Sequence, residues 1–239
     1  MIIVLVKLAS LSMNESERVI QEAIALVDHA TWRSTHDQDY SAELEMYRTA
    51  KKALEQLCGL APEMEKLRRK TLSQCLVGID NALVSLGRND GSVDRTTEAL
   101  TLAETSGSDV QIARALLALG NALLSSGDIE QAEQSWVRLF LLAEACPDDS
   151  SMNQVVGWTL ITRGQVLNTK SLYEQAVRVL EDADSTLEGV GDNYGVSAAN
   201  DLLSDVYSNL GDEENSERCN LKADEFRRRL RREPNPFSS

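Results

Sequence analysis

Asn121-Ala122-Leu123-Leu124-Ser125-Ser126-Gly127-Asp128-Ile129-Glu130-Gln131-Ala132 is the stretch on which the fold turns. Its first half also stands forty residues earlier, as Asn81-Ala82-Leu83-Val84-Ser85-Leu86-Gly87, and at the same offset Leu102-Ala103-Glu104 returns as Leu142-Ala143-Glu144. Its second half, from Gly127, is echoed by Ser171-Leu172-Tyr173-Glu174-Gln175-Ala176 at an offset of 44, and again forty further on by Gly211-Asp212-Glu213-Glu214-Asn215-Ser216. Apolar residues recur at helical spacing before the turn (Ile112, Leu116, Leu119, Leu123) and after it (Ile129, Ala132, Trp136, Leu139, Ala143). The repeating unit is therefore a helix hairpin, which buries its apolar stripes by stacking on its neighbours.

The rest of the composition agrees. Among 239 residues there are 13 glycines and four prolines, and Pro234 and Pro236 sit in the tail, so few helix breakers remain. A sandwich or barrel would need turn residues every ~8–12 positions, which disfavours an all-β fold. The pattern predicts five helix pairs: 14–33 with 39–58, 63–86 with 92–105, 109–126 with 129–145, 151–169 with 172–188, and 193–210 with 213–231. Asn14, Ser108 or Asp109, and Ser150 or Ser151 are candidate N-caps; Gly59-Leu60-Ala61-Pro62 and Pro147-Asp148-Asp149 are stops. Gly87-Arg88-Asn89-Asp90-Gly91 is a longer turn, so the helix after it starts late.

Residues 1–12 form a leader outside this pattern. Met1-Ile2-Ile3-Val4-Leu5-Val6 lacks a preceding basic segment and is interrupted by Lys7, unlike a signal peptide, and Met13 is a second candidate start. No stretch approaches the ~20 apolar residues of a membrane span. The formal charge of −14 repels phosphate backbones and argues against nucleic acid as a partner. The scattered cysteines Cys58, Cys75, Cys146 and Cys219 are expected to be free, buried thiols in a reducing, cytoplasmic setting.

Leu119-Gly120, Gly127, Ile129, Ala132 and Trp136, followed one unit on by Gly164, Leu167, Tyr173, Ala176 and Leu180, resemble the tetratricopeptide (TPR) pattern. Small residues at Gly120, Gly164, Ala132 and Ala176 would let helices approach, with larger ones filling the gaps between hairpins. The unit length of about 40 residues, with Leu119-Gly120-Asn121, Gly191-Asp192-Asn193-Tyr194-Gly195 and Ala198-Ala199-Asn200, is nearest the longer repeats of kinesin light chain and Pins-type adaptors. The likeness covers residues 63–231; residues 13–59 form a divergent hairpin, and 232–239 a disordered tail. It implies an all-α right-handed solenoid.

The residues carry little catalytic chemistry. His29 and His36 have no ligand set around them, and neither a nucleophile motif nor a phosphate loop is present; Gly189-Val190-Gly191-Asp192-Asn193-Tyr194-Gly195 is a structural turn. Acidic pairs such as Glu213 and Glu214 or Asp148 and Asp149 sit at helix starts, where they complement the helix dipole. No enzyme activity and no cofactor or metal is expected.

The resemblance implies instead a concave groove lined by the first helix of each hairpin. By position, its stripe is Gln74, Val77, Gly78 and Asn81; Arg114, Leu117, Ala118, Asn121, Leu124 and Ser125; Trp158, Ile161, Thr162, Gln165 and Asn168; and Asp201, Leu202, Asp205 and Ser208. Asn81 and Asn121 either form an amide ladder for a peptide backbone or bridge neighbouring repeats. Trp158 is either a groove anchor or inter-repeat packing. Leu117, Trp158 and Thr162 stand where the chaperone-binding TPR subclass has basic residues, which disfavours chaperone tails. Asp201 and Asp205 make the C-terminal end acidic, suited to a basic or amphipathic ligand.

Arg227, Arg228, Arg229, Arg231 and Arg232 break the acidic pattern. They form a solvated helix end complementing its dipole, a nuclear-import-like basic patch, or a contact to an acidic partner or nucleic acid. The expected function is a non-catalytic adaptor that holds a peptide or helix of another protein. The alternatives are a structural subunit of a ciliary or cytoskeletal assembly and a peptide-sensing regulatory domain. Oligomeric state is left open by the sequence.

Overall fold

A computed structural model of the chain describes residues 15–237; the leader, Met13 and Asn14 lie outside the described residues, as do the last two of the tail. Ten helices are present among the described residues: α1 Glu15–His36, α2 Tyr40–Glu55, α3 Pro62–Ser85, α4 Ser92–Ser106, α5 Asp109–Ser126, α6 Ile129–Glu144, α7 Ser150–Thr169, α8 Tyr173–Gly189, α9 Asn193–Leu210 and α10 Glu213–Leu230. The fold is all-α, as expected from the sequence.

Local chemistry sets the ends. Gly127, Gly191 and Gly211 adopt left-handed backbone (φ 89°, 74° and 76°), and the residue after each donates its N–H five residues back: Asp128 to Leu123, Asp192 to Leu187 and Asp212 to Tyr207, each at 2.9 Å. This closure satisfies carbonyls left open by the ending helix. Two of these aspartates also cap the helix that begins next: Asp192 accepts from the Gly195 N–H at 2.8 Å and Asp212 from that of Asn215 at 3.1 Å. Ser171 fills the equivalent left-handed position (φ 57°) with Leu172 bonded to the Leu167 carbonyl at 2.9 Å, although a side chain there costs about 1 kcal/mol. Ser108 caps α5, as one of the two candidates. For α7 the cap is Asp149, which accepts from the Ser151 and Met152 N–H groups at 2.8 and 3.0 Å, in place of the expected Ser150 or Ser151. A carboxylate there adds a favourable charge at the helix start.

The chain divides into two compact units at the Gly127-Asp128 turn. In the first, α1 packs on α2 and α3 on α4, α5 lies against α4, and α3 touches both α1 and α5. Ile20, Val27, Leu44, Leu54 and Leu72 fill the core of the first three helices. Gly78, expected on the groove stripe, is buried because the Tyr47 ring lies over it; a Cβ there would come within 2.3 Å of the ring. Ser73 on α3 donates to the Ala99 carbonyl at 2.7 Å and accepts from Gln111 Nε2 at 3.0 Å, joining three helices through one hydroxyl. Buried Asp80 accepts from Ser92 Oγ and Arg95 Nε at 2.9 and 3.0 Å and so fixes the start of α4, which begins late as predicted.

In the second unit α7 packs on α8, α9 on α10, α8 on α9 and α7 on α9, with α6 against α7. Gly164 is a close-approach glycine as expected, since a Cβ would lie 2.5 Å from Leu180; Gly157 is another, against Leu187. Ala132 and Ala176 are wholly buried, and Gly120 in the first unit is buried. Asp184 accepts from Asn200 Nδ2 at 2.6 Å and from Lys222 Nζ at 2.8 Å, and Lys222 also reaches Glu188 at 2.7 Å, so one network ties α8, α9 and α10. The cysteines are free, but only Cys75 and Cys219 are buried. Cys58 and Cys146 lie beyond the ends of α2 and α6, where no helix face draws them inward.

Candidate functional site

The predicted groove residues divide between the units, α3 and α5 in the first and α7 and α9 in the second. On α3 and α5 the stripe keeps a surface: Asn81 is exposed, and Arg114, Leu117, Asn121 and Leu124 are half-buried, with Gln74 and Val77 beside them. Asn81 and Asn121 are not bonded to each other. Instead, the Asn121 Oδ1 is shielded from water and receives no hydrogen bond. A buried acceptor without a donor costs about 1–3 kcal/mol, a strain held inside the unit, since an oxygen that water does not reach is closed to a ligand as well. Ala118 is buried at 4% exposure and drops out of the surface.

On α7 and α9 several candidates serve the fold instead. Trp158 donates its indole N–H to Asp192 Oδ2 at 2.9 Å, and its ring lies 5.5 Å from that of Tyr194. Gln154 donates to the same oxygen at 2.8 Å. Trp158 therefore packs between α7 and α9, and Asp192 links α7 to the capped start of α9. Ile161, 7% exposed, lies in the core with Leu187 and Val196; it is not a groove contact, because its position on α7 turns toward α8 and α9. Asn168 accepts from Asn209 Nδ2 at 3.1 Å, so an amide pair bridging α7 and α9, the first helices of successive hairpins, occurs here, while Gln165 and Asp205 remain exposed. Ser208 is engaged with Ser216 at 2.8 Å.

The acidic end and the basic tail meet. Arg227 holds Asp201 across α9 and α10 and also binds Asp224 at 2.7 Å. Hydrogen bonding to Asp201 pushes the Arg227 pKa further up. Arg229 lies over the Phe226 ring, 4.3 Å from its centroid, and bonds Glu225 at 2.5 Å. Two of the five arginines therefore serve the last helix, and Arg228, Arg231 and Arg232 are exposed. Glu233 accepts from Asn193 at 2.6 Å. His36 stacks on Trp32 in the last turn of α1, and no group of His, Cys and carboxylates suited to a metal occurs among the described residues.

One surface escaped the sequence reading. Ile129, assigned to the buried stripe of α6, is 42% exposed, and with Val137 (56%) and Leu141 (61%) it forms an apolar ridge that starts beside buried Ala132, Trp136 and Leu139 and winds away from them. The signal was present in the spacing: Ile129, Val137 and Leu141 fall on a row of every fourth residue, offset from the core row.

No protein-family model matches the chain, and no curated protein matches it. Solved structures do. BtubC (BKLC) from P. vanneervenii aligns with a TM-score of 0.55 at 19% identity, over 95% of this chain and 97% of that one. The nearly identical TPR-like repeats of a Podosopora anserina protein assigned as a kinesin light chain align with a TM-score of 0.50 at 12% identity, over 92% of this chain and all of that one. At these identities the likeness is one of fold, and the fold is that of TPR-like repeats.

Proposed function

We propose that the chain is a non-catalytic protein-interaction scaffold that holds an extended peptide of another protein against the α3 and α5 stripe. The observation that carries this reading is the surface the stripe keeps: exposed Asn81 on α3, and half-buried Leu117, Asn121 and Leu124 in a row on α5, which touches α3. The leucines would take apolar side chains of an extended peptide, and the asparagine amides stand where its backbone would run. The exposed Asn81 amide extends the row with both a donor and an acceptor. The net charge of −14 favours a basic or amphipathic ligand, although Asp201 on α9 is already paired with Arg227.

Random-peptide display on the full chain tests this. Peptides enriched on the natural protein should bind at least about tenfold more weakly to an Asn81→Ala, Asn121→Ala variant of unchanged circular dichroism, the loss expected from one or two hydrogen bonds. Equal binding would remove the stripe from consideration. Trp158 is left intact in this test, since replacing it would break the bond to Asp192 and disturb α9.

The apolar ridge on α6 favours a second reading, a subunit of an assembly that uses its outer helices.

A further inference from the structure

The exposed face of α6 carries two adjacent rows of every fourth residue. Ile129, Glu133, Val137 and Leu141 form one, and Glu130, Gln134 and Arg138 the other. Together they line an open depression of about 660 Å³. Three large aliphatic side chains about half exposed on one helix face are costly to leave in water and mark an interaction surface.

The arrangement of charge along the helix points to what covers it. Both acids fall in the N-terminal half and the base in the C-terminal half, while an aliphatic residue stands at each end and another near the middle. Such a face is complementary to itself run in the opposite direction. With a two-fold axis crossing α6 near the level of residue 135, Ile129 of one copy comes level with Leu141 of the other. Glu133 comes level with Val137 and Arg138, and the same pairs repeat on the other side of the axis. Glu133 already has a neighbour 3.9 Å away in Arg163 of α7, which keeps the carboxylate on this face.

From this self-complementarity we infer that α6 is the contact through which two copies of this chain associate antiparallel, as an isologous dimer. One helix face buries on the order of 400–500 Å² per copy, about half of a standard stable interface, so the dimer is a weak one, with a dissociation constant in the range of about 1–100 µM. The inference deepens the assembly reading and is independent of the α3 and α5 stripe, so a failed peptide test leaves it standing and the reverse.

Sedimentation velocity of the full chain from about 0.1 to about 500 µM tests it, a span that brackets the expected constant. The natural chain should pass from monomer to dimer. Val137→Glu should raise the dissociation constant at least tenfold at unchanged helicity. Glu133→Arg and Arg138→Glu should each weaken self-association. An equimolar mixture of those two variants should dimerise again, because each arginine pair in one copy then faces a glutamate pair in the other. Rescue in the mixture separates an antiparallel α6 contact from any loss of folding. A chain that stays monomeric throughout, a dimer indifferent to Val137→Glu, or variants that fail to restore each other would each overturn the inference. The first of these would leave the ridge to a different protein or to another segment of the chain.

Discussion

Single residues carry more of this fold than their size suggests. Gly157 sits where a Cβ would lie 2.5 Å from Leu187, itself wholly buried. Gly157→Ala should therefore destabilise the chain by about 1–3 kcal/mol, the usual cost of overpacking, although alanine is the better helix former by about 1 kcal/mol. Urea unfolding measures the sum; a stabilised variant would show that α7 and α8 can separate without cost. Glu43 presents the other kind of strain. It is 2% exposed, its Oε2 receives no hydrogen bond, and burial pushes its pKa up from 4.5 to about 7 against the opposing bond to Ser34. A folded pKa above the unfolded one means that the native state holds the extra proton, so the stability associated with Glu43 is complete below about pH 4.5 and declines up to about pH 7. Compared with Glu43→Gln, the natural chain should lose about 3 kcal/mol across that window. Parallel stability curves for the two proteins would show the carboxyl to be unstrained. Neither site is legible in the sequence. The periodicity marks Glu43 and Gly157 as helical, but whether a glutamate ends up under a neighbouring helix is decided by which helices lie side by side.

At the scale of the element, the repeat turns were legible because their chemistry is local. Gly127 and Gly211 announce a left-handed closure, and Asp128 or Asp212 after them complete it within five residues of chain. Ser171 was identified only by its place in the repeat, since serine carries no such signal. Asp192 exceeds what a cap motif predicts. One oxygen accepts the Gly195 N–H and the other accepts from both Gln154 and Trp158, so the start of α9 and the side of α7 share one carboxylate. Asp192→Ala should cost about 2–3 kcal/mol, above the ~1 kcal/mol of a lost cap, because two side-chain donors are left without their acceptor. Hydrogen exchange should locate the loss in the first turn of α9 and the middle of α7. A loss confined to the first turn of α9 would mean that water replaces the carboxylate for Trp158. The exposed ridge of α6 was missed for a related reason: Ile129 fits the spacing that buries Trp136 and Leu139, and the row it opens with Val137 and Leu141 is visible as spacing, but spacing does not show which neighbours leave that row uncovered.

For the whole molecule, charge is the property that sequence states outright and structure modifies least. A net −14 is spread over a chain in which ion pairs such as Arg68 with Glu65, Arg95 with Asp80 and Lys222 with Asp184 consume much of the positive charge. What remains is mutual repulsion among surface carboxylates, which disfavours the compact state and is screened by salt. The exposed pairs that salt would weaken are worth ~0–1 kcal/mol each. The two effects oppose each other, and the excess of acid decides between them: raising sodium chloride from about 20 to about 200 mM shortens the screening length from roughly 20 Å to under 10 Å and should stabilise the chain by about 1 kcal/mol, or roughly 2–4 °C in melting temperature. A fall in melting temperature would mean that the ion-pair networks outweigh the repulsion. The same balance of charge fixes the sign for self-association through α6. Two bodies of like charge repel at long range, whereas Glu133 and Arg138 attract only at contact, so moderate salt should strengthen a dimer whose binding comes chiefly from Ile129, Val137 and Leu141. A dimer that weakens steadily with salt would instead be held by its charges, and Val137→Glu would then matter less than Arg138→Glu.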